Sequence, residues 1–132
     1  MTLAVSIPKV HLHCHLEGSL RGASFVELAA KHGVPLRYRP SGGAAATADD
    51  EAADLADPAD PYRFKDFREF LLAFAAVSRA LQEPGDYARL AREFVEDALA
   101  QNVMYGELFV SPSVWTFFHE SLDVRAAVAA IA

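Results

Sequence analysis

The sequence predicts an α/β protein in which parallel strands are joined by helices, and it reads as the opening portion of a larger one. Three observations carry this. Residues 9–16 alternate strictly, the period of a strand. Between this run and a second alternating run, "VMYGELFVSP", lie stretches with apolar residues at three- and four-residue spacing, the period of helices. Strands separated by helices imply parallel pairing through crossovers. Two parallel strands cannot bury both of their faces, so such a sheet needs further strands and covering helices.

The first strand is "KVHLHCHL". Its alternation places His11, His13 and His15 on one face and Val10, Leu12, Cys14 and Leu16 on the other. Ser24 followed by Glu27 is a capping-box pattern, and "FVELAAKH" then runs to a stop at Gly33. Residues 40–62, rich in Gly, Pro, Ala and acid, read as a mobile surface excursion. From Asp66 to about Gln82, Phe67, Phe70, Leu71, Phe74 and Val77 recur at helical spacing, and "EPGD" marks the end. A further helix runs from about Asp86 to Gln101, carrying Tyr87, Leu90, Phe94 and Leu99, with Asn102 as its stop. In the second strand Met104, Leu108 and Val110 share one face and Tyr105, Glu107, Phe109 and Ser111 the other, and Pro112 ends the ladder. A last helix opens near Asp123.

Composition excludes several classes. The 132 residues are 52% hydrophobic, enough for a buried core, and carry a net charge of −6. No basic patch stands out, so nucleic acid is not an expected partner. No apolar run approaches the ~18 residues of a membrane span. The one cysteine, Cys14, cannot form an internal disulfide, and "MTLAVSIPKVHLH" lacks the layout of a signal peptide. A cytoplasmic location is the expectation.

The chemistry concentrates in "PKVHLHCHLEGSL", which holds three of the five histidines. Two residues apart on one strand face, Cα atoms are roughly 6.5–7 Å apart, so the imidazoles of His13 and His15 can converge on one cation. Imidazole suits several transition metals, so the pair alone does not choose among them. A catalytic zinc takes three protein ligands and an open position, so further ligands are needed. Cys14 has the wrong parity to join.

"KVHLHCHLEGSL" resembles the first strand of the adenosine deaminase family, within the amidohydrolase superfamily. "FREFLLAF" resembles that family's helix over the active site, and "EFVEDALAQNVMYGELFVSP" resembles its helix and strand ending in Ser-Pro. The resemblance covers most of the chain. It implies a TIM (β/α)8 barrel, of which this would be the opening part, strands one and two with their intervening helices; in such barrels sites sit at the C-terminal strand ends. It implies one catalytic Zn2+ per site with His13 and His15 as its first-strand ligands. Glu17 maps onto the acid that contacts the sugar of a nucleoside, and Gly18 onto a tight turn beside the substrate. Phe67, Phe70, Leu71 and Phe74 map onto an apolar lid over a purine. The implied reaction is hydrolytic deamination at purine C6.

Two positions depart from the family pattern. His11 stands where an acid is usual, and its parity places it deeper behind the ligands. Phe109 stands where adenosine-specific members are often polar or basic, and "FVSPSVWTFFHESLD" is aromatic. Adenosine, adenine and aminodeoxyfutalosine therefore all stay open as substrates. In the family the catalytic acid, the base-orienting His and the remaining metal ligands come later than Ala132. The polypeptide alone is expected to be inactive and to fold poorly, with self-association open to it. Other readings are a non-catalytic, truncated metal-binding protein, and a dihydroorotase- or phosphotriesterase-like amidohydrolase. The Leu-Glu-Gly tail and the Phe-rich helix argue against the last.

Overall fold

A computed structural model describes residues 3–36 and 62–132. The expected excursion over 40–62 lies, apart from Tyr62, outside the described residues. The chain divides into two units, Met1–Arg21 with Leu81–Ala132, and Gly22–Ala80.

The first unit holds the sheet. A single helical turn, α1 (Leu3–Ser6), precedes β1 (Lys9–His15), and a 3-10 turn, Leu16–Ser19, leaves it. After residue 81 come α4 (Pro84–Ala100), β2 (Val103–Phe109), α5 (Pro112–Phe118) and α6 (Val124–Ile131). The second unit contributes α2 (Gly22–His32) and α3 (Phe67–Ala80), which pack together.

β1 and β2 pair in parallel, as the alternation and the intervening helices predict. Cα partners are Lys9 with Val103, Val10 with Tyr105, His11 with Gly106, Cys14 with Leu108 and His15 with Phe109. From His11 to Cys14 β1 advances three residues while β2 advances two, so a bulge lies between them. A bulge reverses the side-chain parity across it. This corrects the expectation that all three histidines share a face. His11 instead turns toward α4, where its ring centroid lies 6.1 Å from that of Phe94.

Local chemistry explains the helix ends. α4 opens on a capping box in which Glu83 is the N-cap, Pro84 sits in the first turn, and Asp86 Oδ2 accepts from the Gln82 and Glu83 N–H groups. "EPGD" thus starts a helix rather than only ending the preceding one. Asp123 caps α6 by accepting from the Ala126 N–H at 2.9 Å, where the sequence places that start. α2 begins at Gly22, so Ser24 is not its cap; Ser24 is buried inside the first turn with Phe25. α2 ends as expected at Gly33, whose φ of 63° lets the Val34 N–H reach the Ala29 carbonyl at 2.8 Å. α5 has no counterpart in the sequence reading, which stops the strand at Pro112; proline at the first helical position instead begins a new turn.

The first unit's core contains Leu16, Leu20, Leu81, Tyr87, Leu90 and Trp115, all wholly buried, with α4 packed on α6. The sheet stays open. Val10 is 63% exposed and Met104 72% exposed, which matches the expectation that two parallel strands cannot cover themselves. Among the described residues no helix is long and apolar enough to cross a membrane.

Candidate metal and substrate site

The C-terminal end of β1 gathers the residues singled out in the sequence. Beyond the bulge His13 and His15 share one face, both exposed, with ring centroids 5.3 Å apart. Their Nε2 atoms stand 3.4 Å apart. Without a cation, one imidazole can donate to the other at that distance. With one, the spacing has a further meaning. Two nitrogens each about 2.0–2.1 Å from a tetrahedral zinc are separated by about 3.3–3.4 Å. The distance between the two nitrogens equals that between two ligand positions of a tetrahedral zinc.

Phe109, at the end of β2, completes this cluster. Its ring stacks on His13, centroids 4.1 Å apart and planes at 17°, and lies 5.8 Å from His15. Tyr105 and Glu107 are joined on the same strand, the Tyr105 hydroxyl donating to Glu107 Oε1 at 2.9 Å. The face read from the alternation of β2 is thus the histidine face. Cys14 lies on the other side, and partial burial, with Glu17 nearby, pushes its thiol pKa up, which holds it protonated.

Glu17 sits in the 3-10 turn and is wholly buried. Its Oε1 accepts from the Ser111 N–H at 2.7 Å and from the Trp115 indole N–H at 2.6 Å. Its Oε2 is buried with no hydrogen-bond partner among the described residues. One side chain therefore ties the exit of β1 to the exit of β2 and to α5. Trp115 lies against Tyr87, ring centroids 4.4 Å apart, and the Tyr87 hydroxyl donates to the Leu81 carbonyl at 3.2 Å. Burial, followed by the charges of Glu17 and Asp86, raises the Tyr87 pKa well above the ordinary phenol range.

Gly18 is in the same 3-10 turn and exposed. Gly33 is the one glycine with positive φ among the described residues, so the turn at Gly18 uses ordinary backbone angles. Arg21, next along, anchors the turn to α4. Its Nε donates to both Asp97 carboxylate oxygens, at 3.2 and 3.1 Å, and its Nη2 donates to Asp97 Oδ1 at 2.7 Å and to Glu96 Oε2 at 3.0 Å.

The predicted lid residues lie in the second unit. Phe67 is 72% exposed, Phe70 and Leu71 are also exposed, and Phe74 is half-buried. The Phe67, Phe70 and Phe74 rings form a ladder, with centroids 5.8 and 6.4 Å apart along it. The buried side of α3 is instead Ala73, Ala76, Val77 and Ala80. Large aromatics turned outward over a core of small residues mark a surface that can receive an apolar ligand.

Against known families, the adenosine deaminase model matches residues 8–132. The chain belongs to the adenosine deaminase family. It is 33% identical over 108 residues to an adenosine deaminase of Clostridium perfringens, covering 82% of this chain and 30% of that protein. It is 32% identical over 110 residues to an adenine deaminase of Rhizobium leguminosarum, covering 83% and 29%. An adenine deaminase from Arthrobacter aurescens superposes with a TM-score of 0.69 at 25% identity, over 94% of this chain and 33% of that one. An amidohydrolase from Burkholderia ambifaria, solved with bound Zn, gives a TM-score of 0.68 at 31% identity, over 99% and 33%. The chain thus spans about 30% of the length of the curated relatives it matches. The two parallel strands and their helices are an α/β segment of these deaminase barrels, as the sequence reading has it.

Two contributors were not singled out as site residues in the sequence. Trp115 is the chain's one tryptophan, and its only advance signal is its place in the aromatic segment "FVSPSVWTFFHESLD". Arg21 carried no signal, because its partners are remote in sequence.

Proposed function

We propose that the full-length protein carrying this chain is a zinc-dependent hydrolase that deaminates an adenine compound at C6. Water adds its oxygen to that carbon, the C6–N bond breaks, and ammonia leaves. The observation that carries this reading is the 3.4 Å Nε2–Nε2 spacing of His13 and His15 at the C-terminal end of β1. The amidohydrolase with bound Zn supports the choice of metal. Zinc held there supplies Lewis acidity, which makes hydroxide available near neutral pH.

The chain's own residues have narrower tasks. His13 and His15 hold two coordination positions, and Phe109 fixes the plane of the first imidazole. Glu17 braces the end of β1 against Ser111 and Trp115 beside the site, and Gly18 keeps the adjoining turn slim. The aromatic ladder of Phe67, Phe70 and Phe74, with Leu71, offers a flat apolar surface to a purine ring. The proton-donating acid and the remaining ligands come from parts of the barrel later than Ala132. The lone cysteine supports a reducing, cytoplasmic setting. The open strand faces favour self-association of the 132 residues taken alone.

A substrate panel on the full-length protein tests this. Adenosine, adenine and aminodeoxyfutalosine are assayed for ammonia release, with zinc and after chelation. At least one is converted, chelation abolishes conversion, and the 132 residues alone convert none. Failure of all three with zinc present would sink the reading.

A further inference from the structure

We propose that Glu107 is a positioning residue for the metal ligand His13, its carboxylate accepting from the protonated ring nitrogen of that imidazole. This rests on the deaminase reading and deepens it by giving Glu107 and Tyr105 a task at the same site. The bulge is the first observation. His11 is in register with Gly106 and Cys14 with Leu108, so Glu107 alone stands opposite Leu12 and His13. The facing of Glu107 follows from its neighbours. A Cβ on Gly106 would lie 3.9 Å from the Phe94 ring of α4, so Gly106 turns to the helix, and Tyr105 and Glu107 turn to the opposite side. That side carries the histidine pair, because Phe109, two residues on, stacks on His13. Tyr105 fixes the carboxylate. Its hydroxyl donates to Glu107 Oε1 at 2.9 Å, and Oε2, on an exposed side chain, stays open to a second donor.

The chemistry of the histidine pair calls for such an acceptor. His13 and His15 present Nε2 to one another at 3.4 Å, so Nε2 is the ligand atom of each. An imidazole that binds a metal through Nε2 carries its proton on Nδ1, and an acceptor there fixes the tautomer and the ring orientation. Stacking does not do this. Phe109 holds the plane of the His13 ring, but a half-turn of that ring about its Cβ–Cγ bond keeps the stack and puts carbon where Nε2 was. A hydrogen bond at Nδ1 tells the two orientations apart. The carboxylate has the converse need. In a complete barrel the inward face is filled by side chains rather than water, and a carboxylate there needs donors for both oxygens. Among the described residues, the side-chain donors of β1 on this face are His13 and His15, and His15 lies further along, in register with Phe109. Glu17, the other acid at this end of the sheet, is buried and bound to Ser111 and Trp115. His13 and Glu107 therefore answer one another, and the negative charge strengthens the bond.

The experiment uses the full-length protein, with zinc for affinity and Co2+ in the same site for spectroscopy. In a Co2+-loaded protein each histidine ligand shows a hyperfine-shifted N–H proton resonance that disappears in heavy water. The His13 signal is the one that moves in Phe109→Leu, which unstacks that ring. We expect Glu107→Gln, which keeps the shape and removes the charge, to lower zinc affinity by about 10–100-fold in a chelator competition. The His13 N–H signal shifts and exchanges faster with solvent, while the signals of the other ligands stay in place. Tyr105→Phe frees Oε1 and moves the same signal, with a smaller loss of affinity. Unchanged N–H signals in Glu107→Gln overturn the proposal. If that variant also melts lower without metal, Glu107 merely fills the barrel. Unchanged zinc affinity overturns it as well. If Glu107→Gln does not fold, Tyr105→Phe carries the test and must move the His13 signal. A wild type that binds neither zinc nor Co2+ in a manner lost on His13→Ala overturns the deaminase reading, and this inference with it.

Discussion

The Phe109 ring lies flat on the His13 imidazole, with centroids 4.1 Å apart and planes at 17°. The contact spans two strands whose ends are adjacent because β1 and β2 pair in parallel, His15 opposite Phe109. An imidazole ligand is useful to a metal only in one ring orientation, and groups that fix it typically contribute 10–100-fold in affinity. Phe109→Leu keeps an apolar side chain and loses the flat face. It should weaken zinc retention by about tenfold in a chelator competition. Unchanged zinc affinity would show that the stacking does not orient His13.

The imidazole pair itself should be far less forgiving. His13→Ala and His15→Ala each remove one of two nitrogens set 3.4 Å apart. Bound zinc, measured by elemental analysis of the purified full-length protein, should fall from about one per chain to a small fraction. His11→Ala is the control. The bulge turns His11 toward Phe94 on α4, so zinc content should stay near that of the wild type. Equal zinc loss in all three variants would return His11 to the ligand face.

Arg21 and Asp97 give the fold a defined sensitivity to acid. The hydrogen bonds from Arg21 are the main cause that holds the Asp97 carboxyl below the ordinary range. A carboxylate depressed in the folded state adds stability that is fully present above its unfolded pKa. That stability is lost as pH falls from the ordinary carboxylate range through the lower folded value. The pair is about half exposed, with side-chain exposures of 38% and 49%, so salt screens it. Asp97→Asn should therefore melt slightly lower than wild type at pH 7 in low salt, and the gap should close on acidification. A gap that widens toward pH 3 contradicts this linkage.

How much of this was legible in sequence depended on the range of the interactions. Strict alternation announced both strands, helical spacing announced α3 and α4, and cap and stop signals announced α2, because all of these are local properties of the chain. His13 and His15 were legible for the same reason, being two residues apart. The orientation of His11 was not. It depends on a bulge that exists only in the register between two strands some ninety residues apart in sequence. The Glu17–Trp115 bond was hidden likewise, since it joins residues separated by 98 positions. Glu17 could be marked only through the family pattern, and nothing local said which of its oxygens would be occupied. Ser24 misled because a capping-box pattern says nothing about where packing starts the helix, and here the helix already begins at Gly22.

Asn102 offers a test of the junction that delivers β2 to its place. It holds φ at 57°, the one positive φ of a non-glycine among the described residues. Its N–H donates to the Leu99 carbonyl at 3.0 Å, closing α4, and its own carbonyl accepts from the Lys9 N–H at 3.0 Å, starting the sheet. Its Nδ2 donates to the Ser6 carbonyl at 2.7 Å. Asparagine tolerates this left-handed backbone better than most residues, and glycine better still. Asn102→Gly thus loses the side-chain bond alone, costing about 0.5–1.5 kcal/mol. Asn102→Ala loses that bond and also takes the left-handed penalty, for a total of about 1.5–3.5 kcal/mol. Urea midpoints of the full-length protein should fall in the order wild type, Gly, Ala. If alanine proves as stable as glycine, the backbone at this junction does not hold that angle in solution.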